Sequence, residues 1–137
     1  MRSPMRAALA GLLGAAMTGG SLVATTTAAS AASYNGACGG GYGVVNQRTI
    51  SGKGAVYLTY NSGNGYNCVV TIRDNPGTAV PMFAGIARQS DPAWADVDEG
   101  DYTTYAGPVY RYAKGSCVTW GGAISGSYAG GVNTNCG

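Results

Sequence analysis

The chain has 137 residues, with eight Lys and Arg, six Asp and Glu, and no His. The absence of His excludes Ser-His-Asp and Cys-His catalysis, His-ligated zinc and the usual pH switch. Two of the eight basic residues, Arg2 and Arg6, lie in an N-terminal leader, so the remainder carries six basic against six acidic residues; with no basic surplus to release counterions, nucleic-acid binding is not expected.

Residues 1–33 read as a signal peptide. Arg2 and Arg6 form a positive start, residues 7–23 an apolar run, and residues 25–33 a small-residue tract. Ala29-Ser30-Ala31 and Ala31-Ala32-Ser33 are both Ala-x-Ala-like, so cleavage is expected between 31 and 34. Gly19, Gly20 and Ser/Thr residues interrupt the apolar run before it reaches spanning length, and no membrane span is expected in the mature part.

Residues 34–137 make one domain holding Cys38, Cys68, Cys117 and Cys136. An even cysteine count in a small exported domain predicts two disulfides, with three possible connectivities. Cys38–Cys68 with Cys117–Cys136 is favoured, because each pair then staples a hairpin to its neighbouring segment. With no Cys-x-x-Cys and no His, the cysteines do not read as a metal site, and no cofactor is expected.

In chain order, 34–43 is a Gly-dense entry loop and 44–50 a strand interrupted by Asn46-Gln47-Arg48. The stretch 54–72 is a β-hairpin, two β-branched and aromatic runs about an Asn- and Gly-rich turn. Val56, Leu58 and Tyr60 on one arm, and Cys68, Val70 and Ile72 on the other, are the expected core face. Asp74-Asn75-Pro76-Gly77 is a turn. Residues 78–88 alternate as a strand with Val80, Met82, Ala84 and Ile86 on one face, and Pro81 suggests an edge or a bulge. Residues 89–105 read as a polar, acidic stretch, a long loop or a loop with one short turn of helix. A second hairpin is expected from 108–112 and 116–120, echoing the first, either as a duplicated Greek-key half or by chance. The Gly- and Ser-rich 121–137 leaves room for one or two short strands. With no sustained helical period, the fold class is all-β: a small antiparallel β-sandwich or barrel with two disulfides.

Carboxylates are the remaining catalytic candidates, and five of six fall at Asp91, Asp96, Asp98, Glu99 and Asp101. On one solvated loop they do not supply the opposed pair that glycoside hydrolysis needs, so no catalytic residue is assigned. Asp96, Asp98, Glu99 and Asp101 are a weak calcium candidate without EF-hand spacing; the alternative is a plain solvated loop. Trp94, Tyr102 and Tyr105 sit beside these carboxylates as a candidate glycan-binding surface, against the plainer reading of core and surface aromatics. Pro81-Met82 and the loop near Asn61 are weaker candidates for a protease-inhibiting loop.

Several runs are similar to one known family. Tyr34-Asn35-Gly36, Cys38-Gly39, Gly41-Tyr42, VYLTYN at 56–61 and NCVVTI at 67–72 resemble the spore-associated protein A family of small secreted proteins from filamentous actinobacteria. EGDY at 99–102, YAGPVY at 105–110 and the block from Gly115 through Cys117, Val118 and Trp120 to Gly122 extend the resemblance over the whole mature domain. It implies an exported protein of the spore surface or medium; spore or cell-wall polysaccharide as a partner is the separate expectation from Trp94, Tyr102 and Tyr105. The resemblance brings no catalytic residue.

Overall fold

The computed structural model describes residues 32–137. The expected leader lies outside the described residues except for its last two, Ala32 and Ser33. Eight strands follow in order: β1 (Gly43–Ile50), β2 (Gly54–Asn61), β3 (Tyr66–Arg73), β4 (Val80–Arg88), β5 (Asp96–Tyr102), β6 (Tyr105–Tyr112), β7 (Val118–Ile124) and β8 (Ser127–Thr134). They form two four-stranded antiparallel sheets, β1-β2-β3-β6 and β5-β4-β7-β8, packed as a sandwich. The all-β reading holds.

The β2–β3 hairpin forms in the expected place, pairing Gly54 with Arg73 through to Asn61 with Tyr66. Its core faces differ from expectation. Leu58 lies opposite Val69 and Val56 opposite Thr71, and these side chains point into the sandwich. Cys68, Val70 and Ile72 point the other way, and Val70 and Ile72 join Ala55 and Tyr57 in a second cluster on the outer side of the sheet. Both faces of the hairpin are apolar, so alternation alone cannot say which face is interior. Ala32, Tyr34 and Ala37 cover the outer cluster.

The main core lies between the sheets, where Leu58, Val69, Met82, Ile86, Val109 and Trp120 are buried. Each such side chain contributes roughly 1.5–3 kcal/mol by leaving water. The buried polar residues Thr59, Asn67 and Thr71 are paired: Thr59 Oγ1 donates to Cys68 O at 3.0 Å, Asn67 Nδ2 to Thr59 O at 2.9 Å and Thr71 Oγ1 to Phe83 O at 2.9 Å. Trp120 Nε1 donates to Thr134 Oγ1 at 2.8 Å, which ties the last strand to the core.

Three expectations need correction. The acidic stretch is not all loop: Asp96–Tyr102 is an edge strand, where alternating charges are tolerated and discourage further pairing. The second hairpin does not form, since β6 pairs with β3 and β7 with β4 and β8, in opposite sheets. The echo between the two regions is therefore not a structural duplication. Pro81 is neither on an edge strand nor at a bulge, because β4 lies inside its sheet. Pairing of β4 to β7 starts only at Met82, and Pro81 O accepts from Ser125 N of the β7–β8 turn. The missing N–H thus falls just beyond the end of a ladder.

The disulfides join Cys38 to Cys68 and Cys117 to Cys136, the favoured pairs. The first pins the entry segment to β3, and the second ties the C-terminus to the start of β7.

Candidate functional site

Strand alternation divides the acidic cluster. Asp96 and Asp98 turn toward β6: Tyr110 N donates to Asp96 Oδ2 at 2.9 Å, and Gly107 N donates to Asp98 Oδ2 at 2.8 Å. These carboxylates satisfy backbone donors of β6 near its irregular pairing with β3, between Val69 and Thr71. Glu99 and Asp101 occupy the opposite face, exposed. The four calcium candidates therefore do not converge, and no group of three or more His, Cys, Asp or Glu side chains able to hold a metal occurs among the described residues.

The three aromatic candidates also separate. Tyr102 packs against the main core, and its hydroxyl donates to Asp98 Oδ1, a bond that raises its pKa. Tyr105 lies opposite Ile72, on the outer side of the first sheet. Trp94 alone sits on the outer face of the second sheet, 39% exposed.

Around Trp94 the outer face is built in an unusual way. Gly85, Gly121 and Gly130 lie in register across β4, β7 and β8, making a bare backbone strip three strands wide. Phe83 and Trp94 lean over its first glycine, their rings edge to face with centroids 5.4 Å apart. A β-carbon at Gly85 would stand 2.5 Å from Phe83 and 3.0 Å from Trp94. Tyr128, 56% exposed, lies over the other two: a β-carbon at Gly121 would stand 2.1 Å from its Oη, and one at Gly130 3.0 Å away. Phe83 and Trp94 on one side and Tyr128 on the other thus stand on the same outer face, over neighbouring strands of one glycine strip. Exposed Val97 lies beside Gly85, and Glu99 beside Phe83, on the β5 side.

A groove of about 400 Å³ opens beside Trp94, lined by Arg88, Gln89, Asp91, Pro92 and Thr119 among others. Asp91 is fixed there by Arg111, whose Nε and Nη2 donate to its two oxygens at 2.9 and 2.8 Å, and by Arg88 N at 2.7 Å. The Arg111 hydrogen bonds, followed by that from Arg88, hold the Asp91 carboxyl far below the ordinary carboxylate range. A carboxylate held this way is a structural brace for the β4–β5 loop and a poor proton donor. The groove thus places an aromatic wall beside amide, hydroxyl and charged groups.

A second cleft, about 360 Å³, lies at one end of the sandwich between Val45, Tyr60, Asn67, Lys114 and Asn135. Of the two inhibitor candidates, Pro81-Met82 is not a projecting loop. Met82 is buried in an inner strand, and Asn61 starts a tight turn closed by Asn64 N and Gly65 N donating to its carbonyl.

Sequence reasoning singled out Trp94 but not Phe83 or Tyr128. A signal was present in Phe83-Ala84-Gly85 and Tyr128-Ala129-Gly130. An aromatic two residues from a glycine shares its strand face and can lie over it.

The chain is 50% identical over 128 residues to the spore-associated protein A of Streptomyces coelicolor, a match covering 93% of this chain and 80% of that protein. No protein-family model and no solved structure matches it.

Proposed function

The chain belongs to the spore-associated protein A family, and from that membership we propose a non-catalytic extracellular protein that attaches to polysaccharide of the spore or cell surface. The observation that carries this reading is the glycine-floored platform of Phe83, Trp94 and Tyr128. Aromatic rings held over a bare backbone strip suit stacking on pyranose faces, and the adjoining groove supplies partners for their hydroxyls. Two disulfides fit a working place outside the cell. The absence of His from the chain, with Asp91, Asp96 and Asp98 engaged in structural hydrogen bonds, favours binding over catalysis.

The test is retention of the purified protein on insoluble glycans, namely peptidoglycan, chitin and cellulose, washed in high salt. Retention that falls at least tenfold in Trp94→Ala and Tyr128→Ala, with unchanged melting, supports the reading. Failure to bind any of the three, or equal binding by the variants, rejects it.

A further inference from the structure

Ala32, the first described residue, is held on both sides. Its backbone N donates to Asp74 Oδ1 at 2.9 Å, and its carbonyl accepts from the Tyr57 hydroxyl. Tyr34 packs on Tyr57 with ring centroids 5.9 Å apart, and the Tyr34 hydroxyl accepts from Cys38 N at 3.1 Å. Residues 32–38 are thus a strap across the outer cluster of the first sheet. It is fastened covalently at Cys38 and by polar bonds at Ala32. At the polar end a cation is missing. Among the described residues the one ion pair is Asp91–Arg111, and Asp74 has none. Lys53 Nζ is turned to Ser125 O and Ser127 Oγ, and Arg73 Nη1 to the carbonyls of Thr78, Tyr102 and Thr103.

We infer that export processing cuts the Ala31–Ala32 bond and that the new α-ammonium of Ala32 is the cation of Asp74. The co-reactants are water and a leader peptidase of the export machinery. The C–N bond breaks, water oxygen forms the new C–O bond of an Ala31 carboxylate, and the Ala32 nitrogen ends as an ammonium. Of the cuts the small-residue tract permits, this one follows Ala29-Ser30-Ala31 and keeps both contacts of Ala32. Cuts after 32 or 33 discard the Asp74 and Tyr57 bonds together. Processing then replaces a neutral amide donor by a charged group with three donors. Removal of the leader tightens the strap over Ala55, Tyr57, Val70 and Ile72 instead of freeing its end.

The experiment uses the full chain expressed in a secreting host, with the product recovered from the medium. N-terminal sequencing and intact mass are expected to give Ala32 as the first residue; a start at Ser33 or Tyr34 overturns the inference. The same product is then labelled with an amine-acylating reagent across pH and mapped by mass, with Lys53 and Lys114 as internal references. The titratable groups facing the amine are Asp74, Tyr57 and Tyr34. Pairing to Asp74 moves the labelling midpoint above that of the denatured chain and slows labelling at neutral pH about tenfold, the change expected for one pKa unit. Asp74→Asn restores the ordinary midpoint. A native midpoint equal to or below the denatured one overturns the pairing, and the native–denatured comparison decides the matter even if Asp74→Asn is not secreted. Neither readout involves a glycan, so failure here leaves the platform untouched.

Discussion

Tyr128 lies across Gly121: a β-carbon at that glycine would stand 2.1 Å from the tyrosine Oη. Only glycine leaves room for the ring to lie against the sheet. The obstructing atoms all belong to the outer end of one exposed, flexible side chain, so Gly121→Ala is expected to lift the ring without disturbing the fold. Melting should change by only a few degrees, while glycan retention falls about as far as in Tyr128→Ala. Retention equal to that of the wild type would separate the ring's position from binding.

The Cys38–Cys68 bond closes a span of 30 residues, and Cys117–Cys136 one of 19. In the loop-entropy account they stabilise the fold by about 4 and about 3 kcal/mol. Replacing both cysteines of the first pair by Ala should cost at least the larger amount, because the strap over the outer cluster then loses its covalent anchor. Denaturant unfolding of the two double variants measures the order.

Asp91 gives a prediction with a defined sign. Its unfolded carboxyl has the ordinary value of 3.8, and the Arg111 and Arg88 hydrogen bonds hold the folded one far lower. The stability this linkage contributes is fully present above the unfolded value. It is lost as pH falls below about 4 toward the folded value. Asp91→Asn should therefore lower the melting temperature at neutral pH and flatten its decline between about pH 4 and about pH 2. An unchanged acid slope would mean that Arg111 does not hold this carboxylate in solution.

Trp120 is fully buried between the sheets, and its indole N–H is spent on Thr134. Trp120→Ala should cost about 3–5 kcal/mol by cavity formation, with release of β8 from the core. Urea unfolding of that variant, beside the surface variant Trp94→Ala near wild-type stability, checks the different duties of the two tryptophans.

What the sequence makes legible follows from how local each signal is. The β2–β3 hairpin is announced by two β-branched runs about an Asn-Gly turn, and it forms in place. The acidic strand β5 is hidden by its composition. Asp96 and Asp98 are needed by N–H groups 14 and 9 residues away, on a strand of the other sheet. The segment joining β6 to β7 has the look of a hairpin turn around Gly115. Yet β6 meets β3, placing Val109 opposite Val69, and that choice is a long-range one. At the candidate site, Trp94 was visible as an aromatic outside any core pattern. Its platform depends on three glycines brought into register from three strands, which no local pattern displays.

The most direct measurement is high-salt retention on purified peptidoglycan, comparing wild type, Trp94→Ala and Tyr128→Ala at matched melting temperature. Attachment through the outer face of the second sheet predicts that the wild type stays on the glycan while each variant washes off at least tenfold more readily. Wild-type protein that washes off freely, or variants retained as well as wild type, would contradict it.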